Sequence, residues 1–176
     1  ITQTTNKLYI KDYLIGGVTT YPAGASVTDS AASGTALATG HKAGLYSIGV
    51  DAYLNPKANL LEAAELEGKR VGVVSKYEFS HATPAAFTAH YYNRGVYRPM
   101  SEQAVYQDYD VNLCPGIEVA SFNNVKTLIQ QRGYRFVNNK TDLANVKSGD
   151  KIWSNLYGYS HPFDIKKSAS DANLLD

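Results

Sequence analysis

The chain has 176 residues, 44% of them hydrophobic and 19% charged, with 17 basic side chains against 16 acidic ones for a formal net charge of +1. That length and composition suit a globular chain with a sizeable core and exclude a disordered one. The charge balance offers no field for nucleic acid or a membrane surface, and no apolar run approaches the length of a membrane span.

The opening stretch, ITQTTNKLYIKDY, lacks the apolar core of a secretion signal. The expectation is a chain that starts after any such signal or never had one. Residues 1–26 carry no clear helix or strand period. The next stretch, VTDSAASGTALATG (residues 27–40), predicts a helix over 30–39. Asp29 or Ser30 can cap it by accepting an orphan N–H. Ala31, Ala32, Ala36, Leu37 and Ala38 propagate it, and Gly40 can end it in the left-handed conformation. Its small side chains would let it sit close to a sheet. Its N-terminus is suited to an anion such as phosphate; a capped, tightly packed helix without chemistry is the alternative.

Residues 57–68, KANLLEAAELEG, put Leu60, Leu61, Ala64 and Leu66 on one helical face, with Gly68 as the stop. KRVGVVS follows as a buried strand over 70–75, so helix and strand form half of a parallel α/β unit. Residues 101–107 predict a helix, and VYQDYDVNL leads into a strand ending near Leu113, with Asp108 and Asp110 in the turn before it. The scheme repeats downstream, with a helix over 123–132, Gly133, and a strand over 134–137. Residues 138–176 are polar and loop-rich; they include the sequon Asn139-Lys140-Thr141 and the pair His161 and Asp164, which alone do not make a metal site. The pattern predicts one domain built on an open α/β sheet, whose ligands bind at the carboxyl ends of strands beside helix N-termini.

Chemistry-bearing residues concentrate in SHATPAAFTAHYYNR, residues 80–94. Pro84 suits the first turn of a helix, with Thr83 or Ser80 near its cap and helical spacing running on through Phe87, His90 and Arg94. Arg94 can hold phosphate oxygens through its planar fork, and Thr83 can offer an oxygen to a hard cation such as magnesium. The plainer readings are that His81 and His90 are hydrogen-bonding partners, Thr83 a cap and Arg94 a surface charge. Lys76, Glu78, Lys166 and Lys167 read as solvated charges. Cys114 is the single cysteine, so no internal disulfide is available. There is no CxxC, HExxH, P-loop or dinucleotide glycine signature.

Together the two stretches resemble the alkaline phosphatases. Val27-Thr28-Asp29-Ser30-Ala31 and the small residues after it, Gly49-Val50-Asp51, the helix and strand of 58–75, Ser80-His81-Ala82-Thr83-Pro84 and then Arg94 all fall in family order. The likeness is strong over about Leu14 to Leu113 and weaker beyond, where GDKIWSNLYGYSHPFDI looks like a later strand-loop region. It implies a three-layer αβα open sheet, of which 1–176 is a single, incomplete domain. It implies hydrolysis of phosphate monoesters through a phosphoserine on Ser30, with two zinc ions and one magnesium. Arg94 would bind phosphate and Asp29 would orient Arg94. Thr83 would ligate magnesium, Ser30 would lie beside zinc, and His81 would act behind the third metal. A homodimer in the periplasm or outside the cell is implied too.

Two departures qualify this. Residues 1–26 hold no Gly-Asp-Gly turn, since Asp12 lies in KDYL, and Cys114-Pro115-Gly116-Ile117 replaces a Gly-rich turn. The family's other zinc ligands come from a C-terminal half not present here. The expectation is therefore little turnover by residues 1–176 alone. The alternative readings are a phosphate-binding module without the zinc cage and a fragment that needs its missing half.

Overall fold

The computed structural model describes residues 9–116, 124–154 and 156. After a 3-10 turn at Tyr9–Tyr13, the first regular element is α1 (Ser30–Thr39). Its cap is Asp29, whose Oδ1 accepts from the Ala32 amide at 3.0 Å, and Gly40 closes it at φ 73°. Asp29, and not Ser30, is therefore the cap, and Ser30 is the first helical residue.

α2 (Leu60–Leu66) is fixed by a capping box. Asn59 Oδ1 accepts from the amides of Leu61 and Glu62, and Glu62 Oε2 accepts from the Asn59 amide at 2.8 Å. Leu61 and Ala64 pack on the core. Leu60 and Leu66 do not; they are 63% and 86% exposed. A seven-residue helix covers the sheet with one narrow stripe, so the apolar face is half as wide as the sequence pattern suggests.

Four short strands form one parallel sheet: β1 (Gly72–Val74), β2 (Val111–Leu113), β3 (Arg135–Val137) and β4 (Ile152–Ser154), in the order β1-β2-β4-β3. Val73 lies opposite Asn112, Asn112 opposite Trp153, and Trp153 opposite Phe136. All three residues of β4 are buried, as a strand inside a parallel sheet requires. β4 falls in the stretch read as loop-rich, within the weaker part of the resemblance. α4 (Tyr97–Tyr106) starts four residues before the predicted helix. α5 (Val125–Gln131) lies inside its predicted span. α6 (Lys140–Ala144) was not expected; the sequon's Asn139 caps it, accepting from the Asp142 amide at 2.8 Å. His161, Asp164, Lys166 and Lys167 lie outside the described residues.

Two apolar clusters result. The larger joins Val71, Val73, Phe79, Ala104, Val105, Tyr109, Ile129, Tyr134 and Trp153 between sheet and helices, with Leu61 and Ala64 of α2 against it. Phe79 and Tyr134 meet the Trp153 ring edge-on, at centroid distances of 5.1 and 5.2 Å. The smaller joins Ala31, Ile48, Ala82, Ala85, Ala89 and Met100. Here α1 packs on α3 (Ala82–Ala85), not on the sheet as its small side chains first suggest. A Cβ on Gly34 would lie 3.2 Å from Ala86 Cβ, which is why α1 carries its smallest residue there.

α3 is the main departure from the sequence reading. It stops at Ala85, is entered through the His81 backbone, and has no side-chain cap from Ser80 or Thr83. His90 and Arg94 are not on it. The chain turns instead to pair Tyr91 with Ile48 through two backbone hydrogen bonds of 2.8 Å. Tertiary pairing overrides helical spacing here. Glu78 is a second correction: it is fully buried, not solvated.

Candidate active site

The N-terminus of α1 faces the segment that ends at Arg94. Ser30 is exposed there. Its Oγ accepts from Arg94 Nη1 at 3.0 Å, and the same nitrogen donates to Asp29 Oδ2 at 3.3 Å. Arg94 Nη2 donates to His81 Nε2 at 3.3 Å. Residues 64 and 65 positions apart thus share one guanidinium. Its side chain is 21% exposed and that of Asp29 20%, so the pair is shielded while its tip stays open to solvent.

Asp29 does three things at once. It caps α1, orients Arg94, and through Oδ1 accepts from the Tyr46 amide at 3.3 Å. The Tyr46 carbonyl in turn accepts from the Arg94 amide at 2.8 Å. Tyr46 takes a left-handed φ of 66° to present both groups to the site. Nothing in its sequence neighbourhood signals that role. Burial alone would push the Asp29 carboxyl up; the amides of Ala32, Tyr46 and Ala31 and the Arg94 guanidinium outweigh it and hold the group below its ordinary value. Asp29 is therefore an ionised counter-charge for Arg94.

His81 is pushed the other way from a charged ring. Burial, and then the Arg94 charge, lower it from its ordinary value. That agrees with geometry in which Nε2 accepts from a cation. Tyr77 lies against its ring at 5.0 Å. Thr83 is exposed on α3, and α3 packs against α1. Glu78 Oε1 and Oε2 and Ser80 Oγ are buried and have no hydrogen-bond partner among the described residues. Burial raises the Glu78 carboxyl, with its own backbone and Arg94 acting against that.

The structure thus brings together Asp29, Ser30, His81 and Arg94. It leaves His90 out of the cluster: its ring bonds Gly49 and Glu62 instead. Among the described residues no group of three or more His, Cys, Asp or Glu side chains is placed to hold a metal ion. These donors alone do not fit a zinc pair or a closed magnesium site.

A family model described as alkaline phosphatase matches residues 2–126. The chain belongs to the alkaline phosphatase family. Alkaline phosphatase H of Pseudomonas aeruginosa (strain UCBPP-PA14) is 39% identical over 153 residues, which cover 71% of this chain and 32% of that one. The fold agrees with the crystal structure of a cold-active alkaline phosphatase from a psychrophilic Shewanella species. The TM-score is 0.86 at 31% identity, over 98% of this chain and 43% of that one. A variant of the TAB5 alkaline phosphatase with Mg bound in its M3 site superposes with TM-score 0.76 at 26% identity, over 82% of this chain and 43% of that one. The chain spans about a third of its Pseudomonas relative. Its fold is the expected α/β one, a parallel sheet flanked by helices.

Proposed function

We propose that this chain is the nucleophile-bearing part of a phosphate monoesterase, within a single domain that 1–176 does not complete. The observation that carries the reading is the Arg94 fork directed at the Ser30 hydroxyl with Asp29 behind it. The α1 N-terminus adds a partial positive charge on the same side, although Asp29 already accepts from the Ala32 amide.

In this reading Arg94 binds two non-bridging oxygens of the substrate phosphate, exchanging its contact with Ser30 Oγ for contacts to the ester. Asp29 keeps the guanidinium oriented. Ser30 Oγ then attacks phosphorus as the bond to the leaving alcohol breaks; the alcohol takes up a proton, and the Ser30 proton goes to solvent. Water hydrolyses the phosphoserine, releasing phosphate and restoring the hydroxyl. The family's two zinc ions and one magnesium would supply electrostatic stabilisation in the complete site. Thr83 would give an oxygen ligand to magnesium, with His81 behind it; the described donors do not complete either centre. A homodimeric enzyme, periplasmic or extracellular, acting on monoesters follows from the same family reading. No described helix is long and apolar enough to cross a membrane.

A second reading, an anion-binding module without turnover, is favoured by one feature of the site. The partner of the Ser30 hydroxyl is a cation that donates to it, and no described side chain accepts its proton. A serine hydroxyl with no base or metal is a weak nucleophile. The two are separated by acid-quenching the protein during reaction with a chromogenic monoester and mapping phosphopeptides. Phosphoserine at Ser30, absent in Ser30→Ala, supports the esterase. Saturable phosphate binding without label supports the module, and turnover that survives Ser30→Ala contradicts both.

A further inference from the structure

His90 lies outside the reacting cluster, yet every polar group it carries is engaged. Its ring Nδ1 lies 2.7 Å from the Gly49 carbonyl oxygen, and Nε2 lies 2.8 Å from Glu62 Oε1. Its backbone amide donates to Gln103 Oε1 at 2.8 Å, and its carbonyl accepts from Gln103 Nε2 at 3.1 Å. Both ring partners, a carbonyl and a carboxylate, are hydrogen-bond acceptors. Glu62 is held in turn by Gln107 Nε2 at 2.7 Å and by the Asn59 amide. Burial raises the Glu62 carboxyl, but the hydrogen bonds from His90, Asn59 and Gln107 outweigh it and leave it below its ordinary value.

The approach to Gly49 is built for this contact. Gly49 sits at φ 60°, and a Cβ there would come within 2.2 Å of the Ala89 carbonyl oxygen and 2.6 Å of His90 Nδ1. Its amide donates to Thr35 Oγ1 of α1 at 2.9 Å, and Thr35 Oγ1 donates to the Ser47 carbonyl at 3.1 Å. Gly49 therefore joins the helix that starts at Ser30 to the segment that ends at Arg94. The Ile48–Tyr91 pairing and the Arg94 amide to Tyr46 carbonyl bond complete the connection.

We propose that His90, clamped between Gly49 and Glu62, is a positioning residue that sets Arg94 against Ser30. This rests on the phosphate-site reading above. His90 touches neither reacting group; it acts by fixing the backbone that carries Arg94 to the backbone that carries Ser30. Long side chains such as arginine amplify a small backbone shift, and loss of alignment at a site costs orders of magnitude more than its distance suggests.

The test uses the full chain in five variants: His90→Phe, Glu62→Ala, Glu62→Gln, Ile129→Ala in the other core as a stability control, and Arg94→Ala as the control for phosphate binding. Two quantities are read, the affinity for inorganic phosphate and the NMR signals of the Arg94 guanidinium. Phosphate affinity is expected to fall about tenfold in His90→Phe and Glu62→Ala, with the Arg94 signals broadened. Glu62→Gln, which keeps an acceptor for Nε2, recovers most of that loss. Ile129→Ala lowers the melting temperature and leaves Arg94 ordered. The proposal is overturned if the Arg94 signals and affinity survive in His90→Phe, or if Ile129→Ala disorders Arg94 equally. If Arg94→Ala binds phosphate as the unaltered protein does, the phosphate reading fails, and the guanidinium signals alone still decide whether His90 positions Arg94.

Discussion

The sheet and the serine end of this molecule are held together by opposite means. Under the sheet, large rings fill the space: Trp153 is fully buried between Phe79 and Tyr134. At the serine end the buried side chains are mostly alanines, and α1 lies on α3 with Gly34 at the crossing. The first region gains its stability from area removed from water and is sensitive to atoms taken away. The second gains little area; it brings backbones close enough to place four polar side chains on one another, and is sensitive to atoms added.

Substitutions in each region sharpen that contrast. Trp153→Ala should have the largest effect, about 3–5 kcal/mol of lost stability by urea unfolding, with phosphate affinity preserved in the fraction still folded. Gly34→Leu should cost about 1–3 kcal/mol, and here phosphate binding should fall even where the protein is folded, because the added side chain pushes α1 off Ala86 and Thr83. A Gly34→Leu protein that binds phosphate normally would break the comparison.

Glu78 marks the boundary between the two regions and gives a pH signature. Its carboxyl is raised by burial from an ordinary value of 4.5. Above that value the unfolded chain releases a proton that the folded chain retains, so stability declines as pH rises, until the folded group also ionises. One retained proton gives a slope of at most about 1.4 kcal/mol per pH unit. Melting curves from pH 4 upward should show the decline, and Glu78→Gln should flatten it. The smallest effect is expected for Asp29→Ala, about 1 kcal/mol from the lost helix cap, accompanied by weaker phosphate binding because Arg94 loses its counter-charge.

Much of this was legible where the chemistry is local. Asp29, the alanines and Gly40 specify α1 within fourteen residues, and the structure returns a helix over Ser30–Thr39. Three of the four strands follow from short apolar runs placed after a glycine or a turn. The Asp-Ser pair and Arg94 pointed to an anion site, and the structure brings them together. What sequence could not show depends on contacts far apart along the chain. Helical spacing ran through Pro84 to Arg94, but pairing of Tyr91 with Ile48 ended the helix at Ala85. Glu78, between Tyr77 and Phe79, looks like a surface charge until the fold covers it. β4 offers only the pair Ile152-Trp153 within a polar stretch, too little to mark a strand. The His90 clamp joins positions 41 and 28 residues away, which no local pattern links.

The most direct test of the central claim is calorimetric titration of the purified protein with inorganic phosphate, beside Arg94→Ala. Saturable one-site binding is expected, abolished in Arg94→Ala while its melting temperature stays close to that of the unaltered protein. Equal binding by the two proteins would contradict it and separate the Ser30–Arg94 cluster from phosphate chemistry.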